Sequence, residues 1–192
     1  MNRETYLEKA IMELRPLFKK HGGVIPKNVK VTCGWPTKSA GRSNKRTVGQ
    51  CIYPQAPDGN TELIVSMVVD DTTTALDILC HELVHASLGA GYGHKAPFRR
   101  LALAIGLTGK MTATVAGPEL VPVLKEIEKK LGKYPHSSID FDNRKKQTTR
   151  MIKVKCTDDE CGCVFRTSAK WIKVHKHLPF SCPICFTDCE IS

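Results

Sequence analysis

The sequence predicts an α+β protein: a compact domain with a buried helix beside a small sheet, then a small β ribbon held by cysteines. Three observations predict this. Apolar residues recur at helical spacing in some segments, and alternate or run together in others. The chain has 192 residues, 41% hydrophobic and 25% charged, enough for a real core without disulfide staples. Six of the nine cysteines crowd into residues 156–192, whereas Cys33, Cys51 and Cys80 are scattered and read as packing residues. The expected organisation is a domain over residues 1–135, a basic linker over 136–150 and a cysteine ribbon over 151–192.

Residues 3–20 place Leu7, Ala10, Ile11, Leu14, Leu17 and Phe18 at helical spacing, and Gly22-Gly23 ends that helix. Residues 28–35 (NVKVTCGW) alternate like a strand, and 36–46 form a polar, basic loop. Residues 47–53 (TVGQCIY) are a second strand, expected to pair with the first as a hairpin. After a turn at 54–60, residues 61–69 (TELIVSMVV) are a third strand, apolar enough to be buried. Asp70 and Asp71 end it, and Thr72 to Thr74 are N-cap candidates for a helix over 74–88 that is apolar on most sides. Gly89, Gly91 and Gly93 make a turn, and Pro97 suits the first turn of a helix over 97–107. Residues 109–117 (GKMTATVAG) are short and fit neither period well. Pro118 opens a last helix that Gly132 closes, and residues 133–150 are polar, basic and aperiodic.

Charge and apolar pattern exclude several classes. No apolar run approaches the roughly 20 residues of a membrane-spanning helix. Arg3, Glu4, Glu8, Lys9 and Glu13 interrupt the first helix, so it does not read as a signal peptide, and a cytoplasmic setting with reduced thiols is expected. The net charge is +10, and residues 14–57 carry nine basic residues and no acidic one. A one-sign tract of that length attracts polyanions, although such tracts are often only solvated surface. Within it Lys38, Arg42, Lys45 and Arg46 are the candidate nucleic-acid contacts.

The helix over 74–88 carries His81-Glu82-Leu83-Val84-His85, a HExxH pattern. Positions i and i+4 share a helix face, so both imidazoles can reach one ion. Glu82 sits beside that face, where its carboxylate can accept a proton from an attacking water. A third ligand must come from chain that turns back, which the three glycines allow. His94 is the preferred candidate, and Glu119 or Glu126 on the last helix is the competing one. Tyr92 is a candidate hydrogen-bond donor to an oxyanion, and equally a packed or exposed tyrosine.

In the tail, Cys182-Pro-Ile-Cys185 is a CxxC knuckle. Its partner pair is Cys156 with Cys161 or Cys163, and Cys161 is preferred because Cys161-Gly162 resembles the usual knuckle step. A four-thiolate structural zinc site follows, with the intervening residues as strands. Lys153, Lys155, Arg166, Lys170, Lys173 and Lys176 surround it, while Trp171 and Phe165 are read as its small core. Four thiolates on one zinc add roughly −2 locally, so the tract at 14–57 is the better place for a nucleic-acid contact.

Residues 81–102 (HELVHASLGAGYGHKAPFRRLA), the CGWP strand end, the GQCIY strand and the cysteine tail together resemble the SprT-like zinc metallopeptidase family, whose Spartan-type members digest proteins crosslinked to DNA. The resemblance implies a zincin-like domain and a C-terminal zinc ribbon. It implies His81, His85 and His94 as ligands of a catalytic zinc, Glu82 as general base, and a second, structural zinc. The short turn between His85 and His94 departs from the longer Spartan-type turn. The expected function is a zinc-dependent endopeptidase, with a protein substrate, DNA as a partner, no membrane and a monomeric state, in a bacterial or phage-infected cell. The alternatives are a nucleic-acid-binding or transcription-associated protein with structural zinc sites only, and a small-molecule metallohydrolase.

Overall fold

The computed structural model describes residues 1–37, 47–53, 59–137, 151–174 and 180–191. The chain divides into two units, Met1–Asp140 and Phe141–Ser192. Both mix helices with small sheets.

The first unit opens with α1 (Arg3–Lys20), whose N-terminus is capped by the Asn2 side chain accepting from the Thr5 N–H at 2.7 Å. Its buried face is Tyr6, Leu7, Ala10, Ile11, Leu14 and Phe18. Three strands follow: β1 (Val29–Gly34), β2 (Gly49–Ile52) and β3 (Thr61–Ser66). The expected β1–β2 hairpin does not form. The order is β1-β3-β2, with β1 parallel and β2 antiparallel to β3. The reason is burial. β3 is the most apolar of the three and takes the protected centre, whereas β1 and β2 carry Lys30 and Gln50 to the edges. The connection from Gly34 to Gly49 is also far longer than the 2–5 residues typical of a hairpin loop.

Helix α2 (Thr72–Leu88) crosses the middle of the unit and packs against β2, β3 and α1. Its cap is Asp71, whose carboxylate accepts from the Thr74 N–H and hydroxyl, both at 2.7 Å. Thr72, an expected cap, is buried and accepts instead from the Tyr134 N–H at 3.0 Å. Helix α3 (Ala96–Ala104) is shorter than expected, because Gly106 at φ 93° turns the chain into β4 (Leu107–Lys110). β4 and β5 (Ala113–Ala116) make an antiparallel hairpin from the segment that fitted neither period. Helix α4 (Leu120–Leu131) buries Leu120, Leu124 and Ile127. The chain beyond it is pinned to the same unit, since His136 Nε2 donates to the Met67 carbonyl at 2.8 Å.

The second unit is a four-stranded antiparallel sheet of β6 (Ile152–Cys156), β7 (Val164–Thr167), β8 (Phe180–Ser181) and β9 (Asp188–Ile191), in the order β7-β6-β9-β8. The sequence suggested strands alone, but a short helix α5 (Ala169–Val174) starts after Ser168. Trp171 on that helix is exposed, with the Lys170 ammonium 5.6 Å from its ring centre, so it is not the core residue expected. Phe165 is half-buried, 6.3 Å from the Phe180 ring. Among the described residues no helix is long and apolar enough to cross a membrane.

Candidate functional site

One turn of α2 separates His81 from His85, and the glycine turn returns the chain to place His94 against both. His94 Nε2 lies 3.1 Å from His81 Nε2 and 3.1 Å from His85 Nε2. Three nitrogens at such spacing cannot all be satisfied by one another. Each Nε2 offers either one proton or one lone pair. A tetrahedral ion at the usual zinc–nitrogen length of about 2.1 Å sets its nitrogens roughly 3.4 Å apart, so this donor set fits a metal ion.

The turn that makes this possible needs its glycines. Gly89, Gly91 and Gly93 have φ of 79°, 93° and 50°, a region that strains other residues. Glu119 and Glu126 are exposed on and before α4, and neither joins the histidine group.

The rings are held from outside. His81 Nδ1 is 2.8 Å from the Thr114 hydroxyl on β5. With its proton on Nδ1, His81 donates to Thr114 and keeps the Nε2 lone pair for an ion. The Phe98 ring, fully buried on α3, lies 4.9, 4.4 and 4.8 Å from the rings of His81, His85 and His94. Burial, then mutual repulsion, pushes His81 down to about 3 and His85, beside His94, down to about 4; burial also lowers His94. All three are therefore neutral near pH 7, the form that ligates metals.

Glu82 is only 5% exposed, and burial pushes its carboxyl up to about 8. A cation on the neighbouring imidazoles acts in the opposite direction. Glu82 and the histidines face a cleft of about 700 Å³ between β2 and β5. Tyr92 does not line it and is 45% exposed, so the oxyanion role considered for it has no geometric support. The phenol in the cleft is that of Tyr53, which donates to the His85 carbonyl at 3.3 Å. Burial, with Cys51 and Glu82 nearby, pushes that phenol up to about 12. Cys51 packs against the apolar core, as expected, and also lines the cleft; burial pushes its thiol up to about 12. Thr114, Tyr53 and Gly49 were not legible as site residues, because each lies far in sequence from the motif or has another common reading, whereas Phe98 falls within the 81–102 segment that carries the resemblance.

In the second unit Cys156, Cys161, Cys182 and Cys185 bring their sulfurs within 4.8 Å of one another. Cys156 and Cys185 are 3.4 Å apart, and Cys161 and Cys182 are 3.6 Å apart. A tetrahedral zinc with bonds of about 2.3 Å places sulfurs roughly 3.8 Å apart. Backbone N–H groups of Asp158 and Ile184 each donate to a sulfur at 3.4 Å, of Cys156 and Cys182 respectively. The Cys185 N–H leads the interactions that push Cys182 down to about 6, within reach of the thiolate that binds metal. Cys163 and Cys189 stand outside the group. Lys38, Arg42, Lys45 and Arg46 lie outside the described residues, as do Lys176 and most of the 136–150 linker. Comparison with protein-family models, with curated proteins and with solved structures returns no match to this chain.

Proposed function

We propose that the chain is a zinc-dependent endopeptidase of SprT-like type, with a zincin-like first unit and a structural zinc ribbon, acting on proteins associated with DNA. The observation that carries the enzymatic part is the convergence of three imidazole nitrogens beside a buried carboxylate at a cleft. Zinc at such a site supplies Lewis acidity, polarising a peptide carbonyl and acidifying water. His81, His85 and His94 present neutral nitrogens, and Thr114 orients the first of them. The Glu82 carboxylate takes the proton of the attacking water and passes it to the leaving amine. A purely structural site needs no buried carboxylate there.

The DNA part rests on charge. The acid-free tract carries nine basic residues. On the ribbon, Lys153 and Arg166 are exposed and directly opposite across β6 and β7, a like-charge pair that an anion relieves.

The test uses fluorescein-labelled histone, free or bound to single- or double-stranded DNA. The wild-type chain cleaves the bound histone and Glu82→Gln loses the activity by about 100-fold or more. Cleavage at the wild-type rate by Glu82→Gln sinks the mechanism and favours the alternative of structural zinc sites alone. Equal cleavage of free and DNA-bound histone sinks the DNA coupling.

A further inference from the structure

β2 is the edge strand that forms one wall of the cleft, and Gly49 is its first residue, opposite Val65 of β3. Glycine is a poor strand residue, because it loses much backbone freedom on folding and offers no side chain to pack. Its backbone here does not call for glycine, because its φ is outside the left-handed region. The reason is space. A Cβ at position 49 would lie 2.4 Å from Glu82 Oε1, 2.6 Å from Ile78 Cγ2 and 3.0 Å from Glu82 Cγ. Side-chain atoms do not approach a Cβ that closely, so something would have to move.

These neighbours differ in how they can yield. Ile78 is buried, and its Cγ2 branches at Cβ, so it moves only with α2. The Glu82 carboxylate ends a flexible chain and yields first. Position 49 therefore sets where that carboxylate lies, while the histidines are set independently by Phe98, Thr114 and the glycine turn.

We propose that Gly49 is a positioning residue for the general base: its missing side chain is the slot in the edge strand that holds the Glu82 carboxylate beside the three imidazoles. The inference rests on the endopeptidase reading. Because a misplacement of about 1 Å at a reacting group can cost on the order of 100-fold in rate, one methyl group here is enough to slow the chemical step.

The experiment compares wild type, Gly49→Ala and Glu82→Gln on DNA-bound labelled histone, each assayed for zinc content and Tm. The expected result for Gly49→Ala is a 10- to 100-fold fall in kcat, with KM within about twofold and zinc retained. Wild-type kcat in zinc-loaded Gly49→Ala overturns the proposal. If Glu82→Gln itself cleaves at the wild-type rate, the endopeptidase reading is what has failed. Should Gly49→Ala fold poorly, Gly49→Ala/Ile78→Ala removes the contact that cannot yield and leaves the one with Glu82. Its kcat is then expected at least 10-fold below that of Ile78→Ala alone, and parity between the two overturns the proposal. A binding measurement separates positioning from substrate docking. Glu82→Gln and Glu82→Gln/Gly49→Ala are expected to bind the labelled histone with equal Kd. Weaker binding by the double variant assigns Gly49 to the substrate wall and overturns its role toward the base.

Discussion

At the scale of single residues, Thr114 ties the three-histidine group to the β4–β5 hairpin. Its hydroxyl is the partner of His81 Nδ1, at 2.8 Å. Partners of this kind fix the tautomer and ring orientation of a ligand, and their loss typically costs 10- to 100-fold in metal affinity. Thr114→Val keeps the shape and removes the acceptor. Its zinc affinity, measured by competition with a chromophoric chelator, is expected to fall about 10-fold or more, and Thr114→Ser to restore most of it. Equal affinities for the valine variant and wild type would mean that Phe98 alone orients His81. Of the residues at this site, the HExxH set was legible because its spacing follows directly from helix periodicity. His94 was readable through the glycines before it and through the resemblance carried by residues 81–102. Thr114 was not, since a threonine in a short polar segment has no distinguishing pattern.

At the scale of elements, α2 carries Asp77 as well as the site. Burial pushes the Asp77 carboxyl up to about 6, against the opposing pull of the Ala116 N–H on β5. One of its oxygens, Oδ1, is buried without a hydrogen-bond partner. The sign follows from where the proton binds better. Unfolded Asp titrates near 3.9, so the folded chain holds this proton more tightly. That contribution to stability is complete below about pH 4 and is lost as pH rises through about 6. Asp77→Asn removes the buried charge and can still accept from Ala116. The variant is expected to be more stable than wild type by about 1 kcal/mol at pH 7–8, after allowance for solvent screening, with the gap closing toward pH 5. Urea unfolding of both chains across this range checks it, and zinc release affects both alike. A less stable variant at pH 8 would show that the carboxylate is paired in solution. Among the elements, α1, α2 and α4 were legible from apolar spacing, since each buries one face or most of its surface. The pairing of the strands was not. Alternation identifies a strand, but neighbours are chosen by which strand most needs burial, and β3 took the centre.

At the scale of the whole molecule, the two units are stabilised differently. The first has an extensive apolar core from α1, α2, β3, α3 and α4. In the second, the buried apolar side chains among the described residues are Val154, Cys156 and Cys182, so its interior is largely the sulfur cluster. A unit with so little core needs a further tie, and these four cysteines could supply it by holding a metal ion. Metal analysis of the wild-type chain is expected to find about two zinc ions, and of Cys182→Ser about one. Hydrogen exchange in Cys182→Ser is expected to rise throughout β6–β9 while α1 and α2 stay protected. Protection retained in β6–β9 would mean that the ribbon stands without its fourth thiolate.

The sequence by itself determined the two-part organisation, the main helices and the spacing of the histidines on α2, because local periodicity and ligand spacing are properties of neighbouring residues. It also supplied the cysteines of the ribbon, since a knuckle is a local turn. Only the tertiary structure decided that β3 lies between β1 and β2, that β5 brings Thr114 to His81, and that Gly49 leaves room for Glu82. The His81–Thr114 and Gly49–Glu82 contacts each join residues 33 positions apart, and which of them form, like which strands pair, depends on how burial is shared across the folded unit rather than on any pattern along the chain.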